Sequence, residues 1–251
     1  MAIDDAYSVV LLHFDGTDAS TTFTDESGKT WTATGNAQID TAQSVFGGAS
    51  GLFDGNDYIS TGDSDDFYLP ADFTIDFRVR FNSTANSQYF YSQETTFPNN
   101  LGIKYDAVNN GLRYFIYGAS ISLDVVKAWT PNKNTWYHIA WVRNGNNYLS
   151  FVDGTQLGTT NTNTNTVPNI PASALIAIQQ GGAEGLNGWL DELRISKGIA
   201  RWTTNFTPPT SAYSPVTGIA GIKTINGIAN ADIKTINGIA VANIKSVQGL
   251  T

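Results

Sequence analysis

The stretch Phe73–Phe81 alternates strictly, with Phe73, Ile75, Phe77, Val79 and Phe81 at one parity and Thr74, Asp76, Arg78 and Arg80 at the other. Successive side chains of an extended strand point to opposite faces, so this pattern gives one apolar face and one wet face. The same period of two recurs in residues 7–14, 57–61, 112–117, 136–143, 148–152, 174–179 and 188–196, and no stretch of comparable length keeps a helical period with caps. Between these runs stand Asp15-Gly16, Asp54-Gly55, Asn110-Gly111, Asn144-Gly145 and Asp153-Gly154. Such dipeptides adopt positive φ at low cost and reverse the chain tightly, so consecutive strands are expected to run antiparallel. Residues 136–158 read as a hairpin with Asn144-Gly145-Asn146 at its reversal. The Thr/Asn tract 159–166 has no apolar anchor and reads as a solvated loop.

The chain has the apolar content to fill a large core, with 13 Phe, 11 Tyr and 6 Trp in a composition that is 41% hydrophobic. Charged residues make up only 14%, against roughly 25% in ordinary soluble domains. Thr, Asn, Ser and Gly therefore have to cover the surface. A net charge of -8 with no Lys/Arg cluster removes the electrostatic footprint that nucleic acid requires. The first residues, Met1-Ala2-Ile3-Asp4-Asp5, lack a basic segment followed by an apolar one, and no run approaches about 18 consecutive apolar residues. Neither a signal peptide nor membrane insertion is expected. The absence of cysteine excludes disulfides, thiolate metal sites and cysteine nucleophiles together.

Near Pro208-Pro209 the strand pattern stops, and the sequence divides into a domain over residues 1–212 and a tail over 213–251. In the tail, Ile222-Lys223-Thr224-Ile225-Asn226-Gly227-Ile228-Ala229 recurs 11 residues later from Ile233, and again in weaker form from Ile244. Asn-Gly inside a β-branched run reads as strand, tight turn, strand. A right-handed coiled coil also has an 11-residue period, but a glycine in every unit disfavours a helix. An array this short is marginal alone. Ile222, Ile225, Ile233, Ile236 and Ile244 are therefore expected to bury against other copies of the chain, making the tail an oligomerisation element.

Four stretches carry a family resemblance: Leu11-Leu12-His13-Phe14-Asp15-Gly16, residues 46–55, Trp136-Tyr137-His138-Ile139-Ala140-Trp141-Val142-Arg143, and Gly188-Trp189-Leu190-Asp191-Glu192-Leu193-Arg194-Ile195. They resemble the laminin G-like members of the concanavalin A-like jelly-roll superfamily, in the single-domain form common in bacteriophage and bacterial surface proteins. The implied fold is an all-β, antiparallel jelly-roll sandwich with a short β-repeat tail. Residues 194–209 and the Ile-Lys-Thr-Ile-Asn-Gly repeat look like phage-encoded versions. The resemblance thus implies a non-enzymatic virion surface protein, a decoration, fibre or tail appendage assembled in the host cytoplasm, that presents a lectin-like glycan-adhesion domain. Its implied partners are itself, with a homotrimer favoured, other virion proteins, and host or environmental glycans. The alternatives are a purely structural decoration without ligand and a polysaccharide depolymerase, since the superfamily hosts all three.

Catalysis has little support in the residues. The jelly-roll glucanases set carboxylates on alternate strand positions, whereas Glu26, Glu94, Glu184 and Glu192 have no acidic neighbour two residues away. Asp191 and Glu192 are adjacent and point to opposite faces of a regular strand. His13 and His138 sit inside apolar strands and read as structural. A metal site has more. Asp191 shares parity with Trp189, Leu193 and Ile195, so in a regular strand it faces the apolar side and needs hydrogen bonds or a cation. The resemblance implies a structural Ca²⁺ held by Asp191 and by Asp15 after the first strand, helped by loop carbonyls near Gly47 and Gly48. Alternatively, Asp191 accepts backbone N–H bonds or pairs with Arg194 or Arg143. For carbohydrate binding, Tyr89, Tyr91, Tyr114 and Trp129 are the foremost candidates for an open sheet face, with Phe90, Phe97, Tyr105 and Tyr117 beside them. Alternation places about half of such rings in the core.

Overall fold

The computed structural model describes residues 7–95 and 99–213, together with the short strands 224–225, 228–229, 235–236 and 239–240. Two antiparallel sheets pack face to face. The first contains β1 (Ser8–Leu12), β4 (Gln38–Asp40), β5 (Ser50–Asp54), β7 (Phe73–Phe81), β12 (Trp136–Asn144), β13 (Asn147–Val152), β14 (Thr155–Gln156), β15 (Asn161–Thr162) and β17 (Asn187–Lys197). The second contains β2 (Phe23–Thr24), β3 (Thr30–Thr34), β6 (Tyr58–Thr61), β8 (Gln88–Glu94), β9 (Asn100–Asp106), β10 (Gly111–Tyr117), β11 (Ser122–Ala128) and β16 (Ala174–Ile176). The first runs β14-β13-β12-β7-β17-β5-β4, with β1 on β17 and β15 on β13, and the second runs β11-β10-β9-β8-β16-β6-β3-β2. This is the expected jelly-roll sandwich.

Phe73, Ile75, Phe77, Val79 and Phe81 are all buried between the sheets, as their alternation requires. The layers interlock through rings: Trp141 of the first sheet stacks on Tyr114 of the second at 5.2 Å and meets Phe73 edge-on at 5.1 Å. Turn chemistry fixes the register. Asn144 pairs with Asn147 around Gly145-Asn146, and Val152 pairs with Thr155 around Asp153-Gly154. Both residues of that second turn have positive φ, 47° and 76°, the geometry whose twist matches the flanking strands. Gly154 has a second reason to lack a side chain, because a Cβ there would lie 1.8 Å from the Phe206 carbonyl oxygen. The Thr/Asn tract is more ordered than a free loop: Asn161–Thr162 pairs with Asn147 and Tyr148. Backbone pairing needs no apolar side chain, so composition does not reveal it.

Half of the second face of Phe73–Phe81 is dry, contrary to expectation, while Arg78 and Arg80 stay partly exposed as the alternation requires. Thr74 and Asp76 are buried beneath residues 198–213, which cross the outer side of the first sheet as a strap. Trp202 and Phe206 of the strap stack on each other at 4.1 Å and pack against Ala140, Val142, Leu149 and Phe151. Tyr213, assigned to the tail by sequence, is buried in the domain. Within the tail, Thr224–Ile225 pairs antiparallel with Ile228–Ala229, and Thr235–Ile236 with Ile239–Ala240; the residues between the paired strands lie outside the described residues. Ile222, Ile233 and Ile244 lie outside the described residues, and so do the side chains of Ile225 and Ile236.

Asp57, just ahead of β6, is only 1% exposed. Its Oδ1 accepts the Asp54 N–H at 2.8 Å, while its Oδ2 has no hydrogen-bond partner. Burial raises its pKa to about 6. A carboxyl that holds its proton more tightly when folded stabilises the fold at low pH, and that contribution is lost as pH rises from about 4 through about 6. Urea unfolding of the parent should therefore lose on the order of 1–3 kcal/mol over this window relative to Asp57→Asn, which keeps the oxygen acceptor. Identical pH slopes for the two proteins would contradict this.

Candidate functional site

The acidic corner begins at a break in β17. Asp191 pairs with Arg78 and the next paired residue is Arg194, opposite Asp76, while Glu192 adopts φ +51°. This bulge shifts the parity of the strand. Leu190 stands opposite Val79 on the core face and Asp191 opposite Arg78 on the outer face, yet Leu193 and Ile195 again join the core. The expected common parity of Asp191 with Leu193 and Ile195 therefore fails. Asp191 is buried instead against the loop ahead of β5: its Oδ2 accepts the Val45 N–H at 2.7 Å and the Phe46 N–H at 3.1 Å, and its Oδ1 has no partner. The arginines weighed for it are engaged elsewhere, Arg194 with Asp76 and Arg143 with the carbonyls of Pro70 and Gly145.

Asp15 reaches the same loop. Its carboxylate lies so close to Gly47 that a Cβ there would sit 1.8 Å from Oδ1, so only glycine leaves room for it. Beside it, His13 Nδ1 is 2.6 Å from Glu192 Oε1, and Glu192 Oε2 accepts the Tyr213 N–H at 2.7 Å. Burial and the charges of Glu192 and Asp15 raise the Asp191 pKa to about 7, despite the two N–H bonds that oppose the shift. Burial likewise raises Asp15, with the Glu192 charge adding to it and His13 opposing. For His13, burial disfavours the imidazolium, but the hydrogen bond and charge of Glu192 outweigh it and leave the pKa raised. The structure brings the two expected carboxylates, Asp15 and Asp191, to the same loop; Glu192 and its partner His13 beside them are not expected from the sequence, because regular alternation points Glu192 away from Asp191. Among the described residues, no three His, Asp or Glu side chains converge on one metal-binding point.

The four foremost aromatic candidates do not form an open face. Tyr91 and Tyr114 are fully buried in the sandwich. The reason for Tyr91 is a register shift between Tyr89 and Tyr91, which turns both Phe90 and Tyr91 inward. Tyr114 stacks on Trp141 and donates its hydroxyl to Asn161 Oδ1 at 3.2 Å. Trp129 packs edge-on against Tyr137 at 5.3 Å and beside Phe81 and Tyr105. Tyr89 alone of the four faces outward from the second sheet, and there the Lys104 ammonium covers its ring at 5.0 Å while Glu184 pairs with that lysine at 2.6 Å. Phe115 and Tyr117 continue this row, with Arg113 over Phe115 and paired to Asp124 at 2.6 Å. The cationic heads lie over the rings and leave little surface for stacking. Phe97 lies outside the described residues.

The family model described as the concanavalin A-like lectin/glucanases superfamily matches residues 53–201. Among solved structures, the chain is similar to domain 4 of AbnA, a GH43 extracellular arabinanase from Geobacillus stearothermophilus, in complex with arabinotriose. That similarity has a TM-score of 0.61 at 17% identity and covers 78% of this chain and 95% of the other. It is also similar to the binding domain of Paraclostridial Mosquitocidal Protein 1 (TM-score 0.58, 16% identity, 76% of this chain) and to a structure of botulinum neurotoxin type C (TM-score 0.54, 13% identity, 77% of this chain). The chain spans about half the length of those two, 49% and 48%. No curated protein sequence matches it. The family match extends from β5 to the start of the strap and takes in the central strands of both sheets, so this chain belongs to the concanavalin A-like lectin/glucanases superfamily.

Proposed function

We propose that this chain is a non-enzymatic glycan-adhesion domain, displayed in several copies on a virion surface by its repeat tail. The observation that carries the reading is the state of the acidic groups. A glycosidase needs two carboxyl groups flanking one open cleft, about 5–5.5 Å apart for retention or 6.5–9.5 Å for inversion. Here Glu192 is shared between His13 and the Tyr213 backbone, Glu184 is paired with Lys104, and Asp191 is closed over by Val45 and Phe46. Asp191 is 0% exposed, so its unpartnered Oδ1 meets no open cleft. Asp54, which shares a cleft with Glu184, accepts from the Asn36 side chain at 2.9 Å, and its cleft partner Glu184 is held by Lys104. Sugar binding is supported by the superfamily and by what the similar structures contain: arabinotriose in the AbnA domain, and a neurotoxin type C whose cell entry depends on two ganglioside molecules.

The covered aromatic rings make a weak single site the natural expectation, and display of linked copies raises avidity by about 10² to 10⁴. The repeated antiparallel strand pairs of the tail suit assembly of identical chains, with a homotrimer as the specific proposal and other virion proteins as its attachment. A purely structural decoration without ligand is the second reading, and the lack of an open ring face among Tyr89, Tyr91, Tyr114 and Trp129 favours it. A glycan array probed with the full chain and with a form ending at Tyr213 separates these. The expected result is retention by the oligomer, loss of both retention and oligomeric state on truncation, and no release of reducing ends from any polysaccharide. Reducing ends would mark a depolymerase, and an oligomer that holds no glycan would leave the structural role.

For the acidic corner we propose a structural Ca²⁺ held by Asp15 and Asp191 with backbone carbonyls near Gly47 and Gly48. The donors are all oxygen, as a hard cation requires. Asp191 Oδ1 is buried without a partner, and the mutual repulsion of Asp15, Asp191 and Glu192 is what a divalent charge would relieve. The ion would tie the loop ahead of β5 to β17. At a free concentration 100-fold above Kd, such binding stabilises by about 2.7 kcal/mol, or about 5–10 °C in Tm for a domain of this size. Chelation should lower Tm by that amount, and Asp191→Asn should erase the response. A melting curve indifferent to both chelator and added Ca²⁺ would exclude the site.

A further inference from the structure

We infer that the glycan contact is a polar cleft at one end of the sandwich, and that it takes an uncharged, hydroxyl-rich sugar unit held by side-chain amides rather than by ring stacking; this rests on the glycan-binding reading above. The cleft measures about 680 Å³, within the range of about 300–1,000 Å³ usual for small-molecule sites. It forms where the Asp54-Gly55-Asn56 turn between β5 and β6, residues 83–88 ahead of and at the start of β8, the turn after β9 and residues 184–187 come together.

Its walls are fixed before any ligand arrives. Gln88 is 2% exposed, and its Nε2 donates to the carbonyls of Ser83 at 2.6 Å and Asn86 at 3.2 Å, while its Oε1 accepts the Asn187 N–H at 2.8 Å. One buried amide thus pins the loop after β7 to the start of β17. Asn82 Nδ2 adds a bond to Asn187 Oδ1 at 2.9 Å. On the opposite side, Gly185 packs so closely on Gly55 that a Cβ would lie 2.3 Å from the Gly55 carbonyl oxygen. Preorganised walls lower the ordering cost of binding.

The groups left over define the ligand. Within the described residues, the side-chain amides of Asn56 and Asn86 make no hydrogen bond, and Asn187 keeps its Nδ2 donor after accepting from Asn82. Primary amides offer a donor and an acceptor side by side, which matches adjacent hydroxyls of a sugar ring. The lining contains no aromatic ring, so stacking is not the mode. Its lining holds Asp54 and Glu184 but neither Lys nor Arg; Lys104 behind the wall offsets Glu184, so Asp54 leaves the cleft with a net negative charge that disfavours a sialylated or uronic unit. Val108, 84% exposed at the rim, gives the C–H face of a sugar one apolar contact.

The test is a titration of the ¹⁵N-labelled full chain with arabinotriose, maltotriose and cellotriose, and with 3′-sialyllactose as the acidic probe. At least one neutral trisaccharide should shift the side-chain amide signals of Asn56, Asn86 and Asn187. Asn56→Ala and Asn86→Ala, both at exposed positions, should each weaken that binding by about five- to tenfold, with the double variant abolishing it and melting as the parent does. A neutral glycan that binds but shifts other signals, or binds the double variant unchanged, overturns this site and leaves the glycan-binding reading standing. Tighter binding of 3′-sialyllactose overturns the ligand class. No binding of any neutral trisaccharide at millimolar concentration overturns both the site and the reading it rests on.

Discussion

Asp76 lies at 0% exposure between the first sheet and its strap, and the closed state of that face depends on how its charge is met. An isolated buried carboxylate would give up its charge or prevent burial. Arg194, one strand away, reaches it through Nε at 3.0 Å and a terminal nitrogen at 3.2 Å, His138 Nε2 lies 3.4 Å away, and the Tyr213 hydroxyl donates to it. Burial alone would raise the Asp76 pKa, but the Arg194 charge and the His138 contact outweigh it and hold the carboxyl well below its usual range. The price falls on the neighbours: burial keeps His138 neutral with a lowered pKa, and burial together with Asp76 raises Tyr213. Arg194 lies over the Tyr213 ring at 3.6 Å and faces Trp202 on its other approach at 5.8 Å. The strap is therefore held by a charge cluster at its end and an aromatic stack in its middle.

The same cluster explains why β17 is irregular. Arg194 has to share a face with Asp76, and Leu193 and Ile195 have to share the core, while Leu190 also packs inward. Two inward leucines three residues apart are incompatible with a regular strand, and the bulge at Glu192 resolves the conflict. The bulge also aims Glu192 at His13 and at the Tyr213 N–H. The acidic corner and the strap anchor are thus two consequences of one break in register.

What the sequence shows and hides follows from this. Phe73–Phe81 was legible to the residue because both ends of its alternation coincide with the observed strand, and Asn144-Gly145 marked the hairpin because few other residues accept its backbone. β8 was not, since Tyr89-Phe90-Tyr91 contains a bulge that destroys the period; in β9 only Leu101, Ile103 and Tyr105 alternate, with Gly102 and Lys104 between them, a run too short and too mixed to stand out. Thr74 and Asp76 looked solvated because alternation reports which residues share a face and is silent on what covers that face. Asp191 was found as a carboxylate in need of partners, yet its actual donors, Val45 and Phe46, are backbone groups about 145 positions away that no local pattern encodes. The aromatic candidates failed as open rings for a related reason: other rings and the cationic heads of Lys104 and Arg113 cover them. The side-chain amides, inconspicuous in a sequence rich in Asn, are what remains for a ligand.

Hydrogen exchange across the strap tests the role of the cluster directly. The Phe206 N–H bonds to the Gly154 carbonyl at 2.9 Å and the Arg201 N–H to Thr74 Oγ1 at 3.0 Å, so both report whether the strap is seated. In the parent protein these amides should exchange as slowly as those of β7 and β12. Tyr213→Phe removes only the hydroxyl that meets Asp76, and with a loss of about 1–3 kcal/mol it should speed their exchange by about 5- to 150-fold while leaving the inner strands protected. A parent strap that exchanges like an open loop, or a Tyr213→Phe strap as protected as the parent, would contradict the account.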